Sequence, residues 1–410
     1  MNVKWYRDTT LIEEQNYTVD SSNYFCDTQV QAYNKIVITI NNMTKANRFL
    51  KIFNIDDGIV RTFYNDELEN ADLIEEITQN NQALNINEAN ITILPKVTTG
   101  VLFQRTLPFS LYRNGELVGK FFVDTSTANA DKSLYKLKIS DYISMLDGQT
   151  YLGGKYSSVT VADLVADILG DIPYSLDASL GSKTITGYLG IMSKREALRE
   201  VAFCINAVVD TSREEKIIIK PMPSTVSAIV GEDKIISIQS TQQNIITKYE
   251  VNTTLLTNTT EAADDLFSGT ISGTQMILFD SPHYNLTISG GTITASNINY
   301  AIITGSGSVT LKGKAYVEVV DSQSKSNPYA VSSDLEKVET YEKTLTCNEI
   351  NILDALSFVE FKIKSTFEMG DVKVGDLITL NDKDCRVMSL DYTLAQTNIY
   401  AQAELEAYYE

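Results

Sequence analysis

Two stretches far apart in the chain, residues 107–142 and 376–409, run through one succession of segments. Each has a strand, an Asn-led turn, a second strand, a polar loop, an alternating strand and a closing tyrosine. The turns are Asn114-Gly115 and Asn381-Asp382, and the tyrosines are Tyr142 and Tyr408. In the first stretch Leu107-Pro108-Phe109-Ser110-Leu111-Tyr112 meets Leu117-Val118-Gly119-Lys120-Phe121-Phe122-Val123 across Arg113-Asn114-Gly115-Glu116. The Asn-Gly pair fits a type I′ hairpin, whose two central residues must both accept positive φ. Tyr135, Leu137 and Ile139 then alternate with Lys136, Lys138 and Ser140, the pattern of a strand with one buried and one wet face. In the second stretch Ala401, Ala403, Leu405 and Ala407 alternate in the same way with Gln402, Glu404 and Glu406. Two meanders of one design point to a duplicated barrel or sandwich and exclude a nucleotide-binding α/β layer.

At 410 residues the chain is long enough for roughly two to four domains. Residues 1–155 read as an N-terminal region with a first tube-like β-barrel, including the β-branched run Lys35–Ile40 and Ile91-Thr92-Ile93-Leu94, which stops at Pro95. Residues 156–234 read as a small α/β module. There Thr160 caps a helix carrying Leu164, Val165, Ile168 and Leu169 on one face, and Gly170 stops it. Ser193 with Glu196 three residues on is a capping-box spacing, and Leu198, Val201, Ala202 and Ile205 form the buried stripe of that second helix. Strands Ala207–Asp210 and Lys216–Lys220 follow. Residues 235–348 read as a β-rich insertion punctuated by glycines. Residues 349–410 read as a third helix near 349–366, with Ile352, Ala355, Leu356, Val359 and Ile363 on one side, followed by the strands of a second tube-like barrel. The fold class expected is mainly β with α+β insertions.

Composition narrows the function. The 34 basic and 53 acidic residues leave a formal charge of -19, which argues against phosphate binding as the main task. Cys26, Cys204, Cys347 and Cys385 are too scattered for a disulfide framework or a paired-ligand zinc site and read as reduced, mostly buried thiols. The opening residues Met1–Asp8 turn polar and acidic at once, so no secretory signal is expected, and Asn42-Met43-Thr44 and Asn252-Thr253-Thr254 read as by-products of composition. His283, the one histidine, has no second histidine to share a metal and reads as a packing or surface residue. Acidic neighbours at Asp56-Asp57, Glu75-Glu76, Glu214-Glu215 and Asp264-Asp265 point to opposite faces of any strand they occupy, so they are not catalytic dyads. Gly305-Ser306-Gly307-Ser308 leads into a strand with no Gly-Lys-Ser/Thr, which makes its glycines turn residues. No catalytic, cofactor-binding or metal-ligating residue is assigned, and no enzyme activity is expected.

Leu107–Val123, Asp141-Tyr142, Leu146-Asp147, Tyr151-Leu152-Gly153-Gly154-Lys155-Tyr156, Ser193–Ala202 and Val374-Gly375-Asp376-Leu377-Ile378 occur in an order that resembles the tail hub proteins of bacterial viruses and related contractile particles. That family covers the baseplate hubs of contractile tails and the N-terminal region of tail-tip proteins in long-tailed phages. The likeness spans about residues 60–410. It implies two tube-type β-barrel domains in one chain and a homotrimer that presents six similar barrels. Such a ring joins a sixfold tail tube to a threefold spike or tip. The partners it implies are the tail tube or distal tail protein, the spike or tip protein, other baseplate proteins and the tape measure protein. DNA would pass through an acidic lumen without binding, no membrane would be entered, and the place would be the virion tail or baseplate, made in the host cytoplasm. The chain ends at Tyr408-Tyr409-Glu410 with no hydrolase or fibre domain expected after the hub. The alternative is a receptor- or carbohydrate-binding tail adhesin, resting on the Thr/Ser/Asn-rich segment 250–320 with aromatics Phe267, Phe279, Tyr284, Tyr300 and Tyr316. A third possibility is a cell-wall hydrolase with scattered carboxylates.

Overall fold

The computed structural model describes residues 1–19, 26, 28, 30, 33–40, 62–78, 83–96, 103, 108–331, 335–394 and 399–409. Asp56-Asp57, Asn42-Met43-Thr44, Leu107 and Glu410 lie outside the described residues. The chain is mainly β, and its centre is an eleven-stranded sheet. The strands are β1 (Leu68–Glu76), β2 (Glu88–Ile93), β3 (Pro108–Arg113), β4 (Glu116–Ala128), β5 (Tyr135–Ser140) and β6 (Val226–Val230). They continue with β7 (Ile235–Gln242), β8 (Val359–Glu368), β9 (Leu377–Leu380), β10 (Lys383–Thr393) and β11 (Tyr400–Tyr408). Their order is β7-β8-β11-β10-β1-β2-β5-β4-β3, with β9 alongside β10 and β6 parallel to β9.

This sheet contains the same five-strand arrangement twice. The first half reads β1-β2-β5-β4-β3 and the second β7-β8-β11-β10-β9, so each strand has a counterpart six places on. Irregularities coincide as well. A 3-10 turn precedes both β1 and β7, at Asn65–Glu67 and Glu232–Lys234. A bulge follows at once, between Leu68 and Asn70 and between Ile235 and Ser237. A second bulge interrupts β4 between Val123 and Thr125 and β10 between Val387 and Ser389. The two hairpin turns sit at positive φ at both central residues, Asn114 (52°) and Gly115 (84°), Asn381 (50°) and Asp382 (62°). That backbone matches the right-handed twist of the strands it joins, and Asn, Asp and Gly tolerate it best. The alternation read at 135–140 and 401–407 is therefore the same strand in two copies. Leu137 and Ile139 and their counterparts Ala403 and Leu405 are all buried in one apolar core that runs through both halves.

The segment near 349–366 is not a helix. One turn, Ile352–Ala355, is capped by Asn351, and the chain then enters β8. Val359, Ile363, Ser365 and Phe367 are buried while Lys362 and Lys364 point to solvent, a period of two. The positions that fit a helical stripe also fit the pleat over so short a run, and pairing with β7 and β11 decides for the strand. Ile235–Gln242, expected in the β-rich insertion, likewise belongs to the large sheet.

The two expected helices of the α/β module form where expected. Thr160 accepts from the Asp163 amide at 3.1 Å to open the helix Val161–Leu169, and Gly170 (φ 62°) closes it. Ser193 and Glu196 form a reciprocal capping box at 3.1 and 3.0 Å in front of the helix Lys194–Cys204. Their apolar faces pack on each other and on strands Thr184–Leu189, Ala207–Asp210 and Ile217–Pro221 to make a second core. The insertion is a five-stranded sheet of Lys248–Asn258, Asp264–Leu278, His283–Ser296, Tyr300–Ser326 and Val338–Lys343. Gly305-Ser306-Gly307-Ser308, expected as turn residues, instead lies inside its longest strand, and at Gly290 a Cβ would meet the Ser308 carbonyl at 2.0 Å, so only glycine lets those backbones approach. Among the described residues no helix is long and apolar enough to cross a membrane.

Candidate functional site

The singled-out residues fall at several places: His283 with Asp264-Asp265 in the insertion, Glu75-Glu76 on β1, Cys204 and Cys347 beside Lys343 and Glu200, and Cys385 on β10. His283 is buried, with Nδ1 at 2.7 Å from the Ser281 carbonyl, Nε2 at 3.5 Å from Asp264 and its ring edge-on to Phe279. Asp265 pairs with Lys312 at 2.8 Å. Glu75 is buried and Glu76 exposed, the opposite facing expected of strand neighbours. Cys204, Cys347 and Cys385 are buried, and burial pushes the Cys204 thiol up to about 12. Among the described residues no group of three or more His, Cys, Asp or Glu side chains is placed to hold a metal ion. The five aromatics of 250–320 form no exposed platform: Phe279 is buried and the other four are half-buried. The Tyr284 hydroxyl donates to the Thr259 carbonyl at 2.8 Å, and Lys155 covers the Tyr316 ring at 4.4 Å.

One polar cluster escaped the sequence, because its members span residues 75–392. At the junction of the large sheet with the α/β module, Tyr392 donates to Glu75 at 3.1 Å. Asp141 accepts from the amides of Asn87 (3.1 Å) and Ile143 (2.9 Å) and from the Thr211 hydroxyl (2.5 Å). Asn87 donates in turn to Thr211 and Ser212 at 3.0 and 3.2 Å. Burial, with the Asp210 charge adding to it, raises Glu75 to about 7, and burial raises Asp141 to about 6. The bonds of Tyr392, Asn87 and Thr211 all run to neighbours within the fold and fasten the two layers, while Glu75 Oε2 is buried without a partner.

The surface that remains is the edge of the sheet. The two halves meet where β1 pairs antiparallel with the second part of β10, Glu76 opposite Ser389 through Asp72 opposite Thr393. The first part of β10 is occupied by β9 on that same side, so β10 changes neighbour along its length. Two other edges carry no strand among the described residues. β7 is paired only with β8, and Gln239–Gln242 are exposed. β4 beyond Phe122 is paired only with β5, and Thr125–Ala128 are exposed.

The tail protein from Neisseria meningitidis is 10% identical, with 83% of this chain and 92% of that chain covered at a TM-score of 0.48. A prophage tail protein from Listeria monocytogenes is 9% identical over 86% and 91% at 0.48. The tail protein of a prophage from Shewanella oneidensis is 12% identical over 82% and 93% at 0.44. These solved structures are tail proteins. No family model matches the sequence, and no curated protein matches it.

Proposed function

We propose that this chain is a non-enzymatic structural hub of a phage tail or phage-tail-like particle. Three copies form a pseudo-sixfold ring that joins the tail tube to a threefold spike or tip and lines the channel. The observation that carries this reading is the five-strand unit present twice in one sheet, with turns and bulges at matching positions. A chain holding two near-equivalent units is the simplest device for turning threefold symmetry into an approximate sixfold one. In this reading each half bends into a tube-type barrel, while the α/β module and the insertion sit outside the ring. The tail tube or distal tail protein docks on one face, and the spike or tip protein and other baseplate proteins on the other. The -19 charge keeps passing DNA from adhering to the wall.

Mass measurement of the full chain in solution and in the particle tests this reading. The expected assembly holds three copies; a monomer inside an intact particle would remove the symmetry role. Surface potential on the assembled ring tests the channel, since a basic lumen contradicts free passage of the genome.

A further inference from the structure

The internal repeat sets two hairpin turns on one backbone and gives them different chemistry. Arg113 pairs with Glu116 across Asn114-Gly115, and Leu380 pairs with Lys383 across Asn381-Asp382. All four central residues stand at positive φ, and all four are exposed. Asparagine holds the first central position in both turns, so only the residue after it differs. Asn114-Gly115 is the one Asn-Gly step in the chain. We infer that Asn114 is a site of spontaneous deamidation, converted to a mixture of aspartate and isoaspartate, and that its counterpart Asn381 is spared.

The reaction needs only the turn and water. The backbone nitrogen of Gly115 attacks the side-chain carbonyl carbon of Asn114. The N–Cγ bond forms, the Cγ–Nδ2 bond breaks, and Nδ2 leaves as ammonia with the proton of the Gly115 amide. Water then opens the succinimide ring at either carbonyl. One opening gives aspartate; the other gives isoaspartate, whose main chain runs through the former side chain. In a turn of this type the ladder bonds belong to the flanking residues, here Arg113 and Glu116, which leaves the Gly115 amide free to react. Glycine has no Cβ to hinder ring closure and reaches backbone conformations closed to other residues. Asp382 has a Cβ, and its carboxylate lies beside the amide that would have to lose a proton, which disfavours that loss. The product alters the hairpin. Either acid adds a negative charge beside Glu116, and isoaspartate also adds a main-chain carbon to a turn built for two residues. The tip of β3 and β4 then loses its register, while the matching hairpin of β9 and β10 keeps its own. The two halves share a backbone and differ in covalent lifetime.

The test is incubation of the folded full-length chain at mildly alkaline pH, followed by peptide mapping in the mass spectrometer and enzymatic methylation of isoaspartate. Aspartate and isoaspartate are expected to accumulate at position 114 roughly tenfold or more faster than at position 381. Two single substitutions should move the site. In G115A the new Cβ meets nothing within 4 Å, and Asn114 should be protected roughly tenfold or more. In D382G a glycine takes the position at φ 62°, and Asn381 should react about as fast as Asn114 does in the natural chain. If the φ of 84° keeps G115A from folding, D382G still decides the role of the following residue. Asn114 intact in the folded chain, while a free peptide of residues 112–117 deamidates beside it, overturns the inference. Equal rates at Asn114 and Asn381, or a D382G chain whose Asn381 stays inert, overturn it as well. N114D carries the charge without the added carbon, so amide exchange at the tip of β3 and β4 should quicken in the aged chain and not in N114D. Equal exchange in the aged and fresh chains overturns the loss of register.

Discussion

Glu75 shows how a single side chain can couple two layers to pH. Its carboxyl is buried between the sheet and the module, and its affinity for the proton rises from 4.5 to about 7 on folding. Between those values the folded chain keeps a proton that the unfolded chain releases, so this group makes stability fall as pH climbs, at about 1.4 kcal/mol per pH unit. Above about pH 7 the penalty is complete. Glu75→Gln keeps the shape and loses the charge. Its stability gain over the natural chain should grow between pH 5 and pH 8, to on the order of 3 kcal/mol. Urea unfolding at the two pH values checks this, and an equal gap at both would show that Glu75 is already ionised in the fold. Nothing in the local sequence marks Glu75: it is one of two adjacent glutamates on a strand, and its neighbours Tyr392, Asp210 and Ser212 come from distant parts of the chain.

Among the elements, those whose signals are local formed where their residues place them. The capping box at Ser193 and Glu196 and the Asn-Gly turn depend on atoms within a few residues of each other, so no distant segment is needed to specify them. Ser193→Ala should cost about 1 kcal/mol and free the first turn of its helix to exchange amide hydrogens faster, while the helix Val161–Leu169 keeps its protection. Equal loosening of both helices would mean that tertiary packing, not the cap, fixes the start. Gly115→Val places a β-branched residue at φ 84° and should cost about 1–2 kcal/mol, read in the same unfolding measurement; no loss would mean the turn relaxes to another type. The segment near 349–366 behaved differently. Its apolar residues satisfy both periods, and two partner strands more than 30 residues away from it in sequence or beyond the insertion chose the pleat.

In the whole molecule, the insertion is held to the module by the apolar contact of Phe203 with Tyr249 and Tyr341, by Tyr188 donating to Glu318 at 2.9 Å, and by the loop that carries Asn297 and Asn299. Asn299 donates to the carbonyls of Leu152 and Leu189, each at 2.8 Å, and Asn297 to that of Gly153 at 2.8 Å. Asn299 is almost fully buried, so Asn299→Ala leaves two carbonyls without their donor at a cost of about 2–3 kcal/mol. Limited proteolysis should then cut the insertion sooner while the large sheet stays intact. Unchanged cleavage would show that other contacts carry the attachment.

The sequence alone determined the β character of the chain, the two capped helices, the hairpin turns and the correspondence of 107–142 with 376–409, because propensity, capping and turn chemistry act over short distances. Only the tertiary structure decided that the correspondence reaches back to β1 and β7, whose side chains share little, and that β8 is a strand. It also built the Glu75 and Asp141 cluster. Each of these depends on backbone pairing between segments up to hundreds of residues apart, and backbone hydrogen bonds are nearly blind to the side chains that a sequence displays.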